Sequence, residues 1–279
     1  MLIHEPMTFD EAIDALAVRS LLPTTGRTAD MRQFDSGIKQ HALWSATLTS
    51  INTLQQIGAG VDAILRGESD IATEMLAVKQ SLEAEGYKAP EGKQGTMLDL
   101  TSIIRRQTII ETQVNMARGA GWHEQGMEPE VLEAYPAQEL FRSATPKGGP
   151  EAERDWGARW IKAGGPPAKG GRMIALKTDP VWENLGNPEL FPDGLGNRWA
   201  PFAIHSNMDL RDSDRTEAIA LGLMKIDTPV TPLRNGFAQD LKAKPAVREQ
   251  WLHEAIEDSG LASFDAVSVL HFSGKEAAA

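Results

Sequence analysis

The chain has 279 residues and a net charge of −11, and it contains no cysteine. Disulfides, thiolate metal centres and cysteine nucleophiles are therefore excluded. An acidic balance of this size argues against non-specific coating of nucleic acid, which needs clustered Lys and Arg, and its plain meaning is solubility.

The length suits one large domain or two small ones. The opening MLIHEPMTFDEAIDAL carries acids where a secretory signal would carry positive charge ahead of an apolar run. No window approaches the length of a membrane span. The expectation is a soluble chain kept in the cytoplasm, or packed into something assembled there.

Residues 1–34 read as a lead-in. Thr8 followed by Glu11 matches a capping box for a helix from about Phe9 to Leu22, ended by Pro23. Residues 35–66 read as one long helix capped by Asp35 or Ser36. Its apolar positions are Ile38, Trp44, Leu48, Ile51, Leu54, Ile57, Val61 and Ile64. Gly58 and Gly60 weaken its second half, and Arg66-Gly67 ends it. A third helix spans 70–85, capped by Ser69 or Asp70, with Gly86 placed as a C′ glycine.

After the loop YKAPEGKQG comes the stretch on which the rest of the chain is organised, LDLTSIIRRQTIIETQVNMARGAGWHEQG, Leu98 to Gly126. Leu100, Ile103, Gln107, Ile110, Val114 and Ala117 recur at helical spacing and predict one buried face. Gly119 and Gly121 are expected to stop the helix.

Beyond Gly126 the texture changes, with more Pro and Gly and shorter apolar runs. A short helix is predicted at Glu128–Tyr135, and another carries Trp156 and Trp160 on one face. RMIALK, Arg172–Lys177, is the best strand, bounded by Gly-Gly and by Thr-Asp-Pro. DPVWENLG reads as a helical turn, and Phe202–His205 as a short extended piece. Asp212 or Ser213 is expected to cap DRTEAIAL. In the tail, Pro245 opens a helix that runs toward Gly260, Ala266–Phe272 reads as a strand, and GKEAAA reads as a frayed end. The fold class expected is α+β. A helical portion, 1–128, leads into a mixed α/β domain with a small sheet, 129–279.

For chemistry, the densest polar cluster is HSNMDLRDSDRTE, with His205, Asp209, Asp212, Asp214 and Glu217. A divalent metal needs several oxygens to converge. The calcium-loop pattern fails here, lacking glycine at its sixth position and a carboxylate at its twelfth. The plainer reading is a helix cap among solvated acids. AGGPPAKGGR resembles a phosphate loop only superficially, because Lys169 is followed by Gly-Gly-Arg and a strand. His123-Glu124 lacks the second histidine of a zinc-protease helix, and no Gly-x-Ser-x-Gly elbow is present. No catalytic residue and no cofactor are expected. Arg105, Arg106 and Arg118 on the organising helix form the one candidate nucleic-acid surface. A solvated or salt-bridged face is the plainer alternative.

One resemblance stands out. IIRRQTIIETQVNMARGAGWHEQG resembles the helix that opens the shared domain of the Mu F-like head morphogenesis proteins of tailed phages, also called minor head proteins. Arg106, Thr108, Glu111, Thr112, Asn115, Ala117, Gly119 and Trp122 stand at the matching places. The upstream ALWSATLTSINTLQQIGAGVDAILRGESDIATEMLAVKQSLEAEGY is similar to the family's front half, ending here in Gly86-Tyr87. YPAQELFR, ERDWGARWIKAGG, GRMIALKTDPVWENL and the segment APFAIHSNMDLRDSDRTEAIALGL resemble one branch of it downstream. The similarity covers roughly 38–225. The Arg-Pro-x-His segment and the late cysteine common in the family are absent.

The resemblance implies a non-enzymatic virion component at the portal vertex or capsid interior, met in the host cytoplasm during assembly. Its expected partners are the portal protein, other capsid proteins and packaged DNA, with no membrane and no small-molecule ligand. Trp44, Leu48, Ile51, Arg105 and Arg106 are the candidate partner-binding residues. Two alternatives stay open. One is a metal-dependent hydrolase that uses His205, Asp209 and Asp212, and the other is a nucleic-acid-binding module.

Overall fold

The structure is a computed structural model. It describes residues 8–27, 30, 39, 42–145, 154–167, 169–233, 242–243, 250–258, 262–264 and 270–272. The fold is α+β. The chain divides into two compact units. One takes in Met1–Gly121 together with Phe237–Ala279, and the other is Trp122–Gly236. The seam therefore falls inside the organising helix, ahead of the boundary expected at 128, and Phe237–Ala279 is grouped with the first unit.

In the first unit, α1 is Asp10–Ala17. Its N-cap is Phe9, with no side-chain cap, so the Thr8–Glu11 capping box does not form. Asp10 and Glu11 still place negative charge in the first turn, where the helix dipole favours it. The helix ends well short of Leu22 because Ser20–Leu21 forms β1, paired in parallel with β2, Ala42–Leu43.

That pairing also takes Ala42–Leu43 out of the expected helix over 35–66. Leu22 N donates to Leu43 O at 2.9 Å and Thr24 N to Leu48 O at 2.9 Å. The backbone at 42–50 is thus committed to a neighbouring segment, and Ile38 lies outside the described residues. The helix proper, α2, is Ile51–Leu65, capped by Ser50, whose side chain accepts from Thr53 N.

Leu54, Ile57, Val61 and Ile64 form the buried face of α2. Gly60 sits inside it for a packing reason. A Cβ there would lie 2.4 Å from Glu74 Oε2 on α3, Ile71–Ala84. Asp70 caps α3 by accepting from Thr73 N at 2.9 Å. At its far end Tyr87 N donates to Leu82 O at 2.9 Å and Gly86 N to Glu83 O at 3.0 Å. Gly86 has φ +76. This is a Schellman end, where glycine tolerates the left-handed backbone.

The organising helix, α4, is Ile103–Met127. Ser102 Oγ accepts from Arg105 N at 3.2 Å at its start. Ile110, Val114 and Ala117 are buried in the core of α1, α2 and α3, together with Ile109. Ile103 and Gln107 are exposed instead. The inward face has rotated to include Arg106 and Gln113, whose polar ends are hydrogen-bonded to backbone carbonyls. The helix runs through Gly119 and Gly121 without stopping. Gly121 is required for close approach, because a Cβ there would meet Ala12 N at 2.5 Å. The remaining described elements of this unit are β6 Lys242–Ala243, α9 Gln250–Asp258, β7 Ala262–Phe264 and β8 Leu270–Phe272. The three strands form an antiparallel sheet in the order β6-β8-β7. The frayed end expected at GKEAAA, and residues 265–269 of the expected last strand, lie outside the described residues.

The second unit continues from the end of α4 into α5, Pro129–Ala134. It is built on an antiparallel sheet in the order β4-β3-β5, made of β3 Ala137–Arg142, β4 Met173–Leu176 and β5 Met208–Ser213. Only β4 was expected. β3 is almost wholly buried, so it shows no alternation, and β5 hides its alternation among acids. α6, Trp156–Lys162, and α7, Val181–Gly186, complete the apolar core through Trp156, Trp160, Trp182 and Leu185, joined by Phe202 from a loop. Trp160 meets Trp182 edge to face at 5.3 Å, a favoured aromatic geometry. The expected extended piece at Phe202–His205 is reduced to one isolated bridge, Gly194 to Ala203.

Candidate functional site

β5 disperses the acidic cluster. Successive side chains of a strand point to opposite faces, so Asp209 and Asp212, three residues apart, cannot converge. Asp209 Oδ1 accepts from Leu210 N at 2.8 Å. Asp212 Oδ1 stands 2.9 Å from Lys177 Nζ. Asp214, and neither Asp212 nor Ser213, is the N-cap of α8, Arg215–Ala220, and accepts from Glu217 N at 2.8 Å. His205 is exposed on a left-handed backbone with φ 55. Among the described residues, no group of three His, Cys, Asp or Glu is placed to hold a metal ion.

What forms instead is an ion-pair network across the sheet. Glu139, at the centre of β3, is 5% exposed. Its Oε2 accepts from Arg172 Nη2 at 2.5 Å and from Arg211 Nη2 at 2.8 Å. Arg172 Nη1 also donates to Glu217 Oε1 at 2.6 Å, and Ser213 Oγ donates to Glu217 Oε2 at 2.5 Å. Burial pushes the Glu139 carboxyl up, but hydrogen bonds and charge from Arg172 and Arg211 outweigh it and hold the group below its ordinary value. Glu217 is lowered as well, by its bonds to Ser213 and Arg172. The network ties β4, β3, β5 and α8 together. Both carboxylates are engaged by arginine, Glu139 through Oε2 and Glu217 through Oε1, which fits an architectural role.

The second cluster was not foreseen. His123, on α4, stacks on Trp199 with ring centroids 5.3 Å apart. Burial lowers its pKa to about 3, helped by the charges of Arg198 and Lys177. It is therefore neutral near pH 7. Lys177 is 3% exposed and Arg198 is 8% exposed. Lys177 Nζ faces Asp212, but at an angle too poor for a hydrogen bond. Arg198 Nη2 reaches Glu183 Oε2 at 3.3 Å. Gly126, one turn beyond His123, leaves room for the lysine, because a Cβ there would lie 3.2 Å from Nζ. The sequence held no signal for this cluster, because the partners of His123 come from two distant segments, Lys177 and Arg198–Trp199.

In the first unit the paired arginines are structural. Arg106 is buried, with Nε donating to Thr101 O at 2.9 Å and Nη1 to Met75 O. Arg105 Nη2 donates to Ser45 Oγ at 2.8 Å and to Ala46 O at 2.9 Å. Arg118 alone of the three is exposed, so they do not form one exposed basic face. Leu48 is buried in the core, while Trp44 and Ile51 are half-buried. The exposed apolar residues at the start of α4 are Leu98, Ile103 and Ile104, at 60%, 68% and 52%. No described helix is long and apolar enough to cross a membrane.

Comparison of the chain with family models, with curated proteins and with solved structures gave no match.

Proposed function

We propose that the protein is a minor head, or head morphogenesis, protein of a tailed phage. It would act as a non-enzymatic structural assembly factor at the portal vertex or the capsid interior. The observation that carries this reading is what the matching positions of α4 do. Arg106 secures backbone carbonyls at Thr101 and Met75. Thr108 Oγ1 donates back to Ile104 O at 2.8 Å, and Ala117 lies in the core. A motif whose residues are spent on packing and backbone contacts suits a family whose shared pattern is architectural.

The same observation weighs against the nucleic-acid reading, since Arg105 and Arg106 are turned to protein oxygens. The hydrolase reading loses its premise where Asp209 and Asp212 diverge. Partner contact falls to residues that are exposed, with Leu98, Ile103 and Ile104 ahead of the buried Leu48 and Arg106.

The test is co-expression with the portal protein of the same phage, followed by co-purification and size analysis. A stable complex with the portal ring is the expected result. A stable monomer that ignores the portal overturns the proposal.

A further inference from the structure

We propose that the outer edge of β5 pairs with β5 of a second copy of this chain, antiparallel and centred on Leu210, to make a symmetric dimer with one continuous sheet. β5 is an edge strand of the sheet β4-β3-β5. Ser143 N donates to Asn207 O at 3.0 Å, and these two stand opposite one another in the register that pairs Arg142 with Met208. Opposite residues of an antiparallel ladder alternate between bonded and unbonded pairs. Asp209, Arg211 and Ser213 therefore turn their backbone groups to β3, while Met208, Leu210 and Asp212 turn theirs outward. The bond from Lys177 N to Pro136 O at 2.8 Å, on the other side of β3, fixes the same phase.

Among the described residues no strand takes up these outward groups. Leu210 N is held by its neighbour, Asp209 Oδ1, at 2.8 Å, and Met208 N meets Ser206 Oγ at 3.4 Å. Asp212 is exposed mainly through its backbone, since its side chain is 28% exposed. A row of outward backbone groups on an edge is a template for another strand.

Charge selects both the occupant and the register. Asp209 and Arg211 are exposed and share one face of β5. A twofold axis through Leu210 sets Leu210 opposite its own copy and Met208 opposite Asp212, so that outward N–H groups face outward carbonyls. It also sets Asp209 opposite Arg211 on both sides of the axis, in unbonded pairs whose Cα atoms lie about 4.5 Å apart. An axis through Met208 or Asp212 brings no opposite charges together within the strand. Arg211 binds Glu139 through Nε and Nη2 and is still 57% exposed, which leaves its outer side for a second carboxylate. On pairing, Asp209 gives up Leu210 N to the carbonyl of the copy and turns to the guanidinium. The contact is isologous and closes at two copies.

The test is sedimentation equilibrium of the full-length protein, and the expected result is a reversible monomer–dimer equilibrium. Asp209→Ala should weaken it roughly threefold or more, and Asp209→Lys about tenfold or more, because like charges then face each other twice. The chain has no cysteine, so the register is read directly by cross-linking. Asp209→Cys mixed with Arg211→Cys should form disulfide-linked dimers faster than either variant alone. A native protein that stays monomeric up to roughly 1 mM, the weak end of association, overturns the proposal. So does an Asp209→Ala variant that associates more tightly than its parent, which would make Asp209 a guard against edge pairing.

Discussion

Gly121 of α4 packs directly on the backbone of Ala12 in α1, where a Cβ would stand 2.5 Å from the Ala12 nitrogen and 2.8 Å from its Cα. Backbone cannot swing aside as a flexible side-chain end can. Gly121→Ala should therefore destabilise the protein by roughly 1–3 kcal/mol through overpacking, despite its gain in helix propensity. Gly58→Ala is the control. Its Cβ would meet Leu43 Cδ1 at an ordinary 3.6 Å, so it should be neutral or stabilise by up to about 1 kcal/mol. Denaturant midpoints of the two variants check both. Equal effects would show that α1 and α4 do not approach this closely.

Glu139 receives two guanidiniums whose own exposures, 31% for Arg172 and 57% for Arg211, screen part of the attraction. Glu139→Gln should cost about 1–3 kcal/mol, most of it from leaving a buried position poorly matched. The folded-state pKa of Glu139 is lowered, so its contribution is present above the unfolded carboxylate value and is lost as pH falls through the folded one. Stability should fall with acid from about pH 4 downward, where unfolded carboxylates take up protons, and less steeply in Glu139→Gln. A stability–pH curve identical for both proteins would show that the network is idle.

His123 has the opposite charge chemistry and a separate window. Its folded pKa is about 3, against an ordinary histidine value of 6.5. Between those values the unfolded chain binds the extra proton, so stability is full above the unfolded pKa. It declines as pH falls, by at most about 1.4 kcal/mol per unit. His123→Phe keeps an aromatic ring against Trp199 and removes the titration. It should flatten the slope between about pH 6.5 and pH 4, where the Glu139 effect has not begun. Chemical denaturation at a series of pH values separates the two, and an unchanged slope in His123→Phe would place the histidine in solvent.

The cap of α8 discriminates between neighbouring acids. Asp214→Ala removes the bond to Glu217 N and should cost about 1 kcal/mol. Thr8→Ala should cost nothing measurable, since Thr8 is exposed and the cap of α1 carries no side-chain bond. A loss at Thr8 matching that at Asp214 would restore the capping box at α1.

Ile103 and Ile104 together give a surface test of the proposed assembly role. Both are more than half exposed, so Ile103→Asp with Ile104→Asp should leave the isolated protein folded, within about 0.5 kcal/mol of the parent. Co-purification with the portal protein should be lost. A variant that still binds moves the contact elsewhere on the chain.

The sequence by itself determined the elements whose causes are local. The Asp70 cap and the Gly67 and Gly86 ends of α2 and α3 were legible because a cap, a periodic stripe and a left-handed glycine all act within one or two turns. β4 was legible between its glycines and Pro180. The tertiary structure decided whatever depended on a distant partner. Parallel pairing with Ser20–Leu21 made Ala42–Leu43 a strand, and 44–50 became turn and loop where a helix was expected. Close packing on Ala12 kept Gly121 inside α4, where glycine alone reads as a stop. β3 and β5 became strands because each satisfies the other's backbone, Ala137 opposite Ser213 through to Arg142 opposite Met208. The same pairing drew Arg211 to Glu139 and sent Asp209 and Asp212 to opposite faces. The neighbourhood of His123, Lys177, Arg198 and Trp199 has no local signature, since burial and the removal of water exist only once segments far apart in the chain have closed over them.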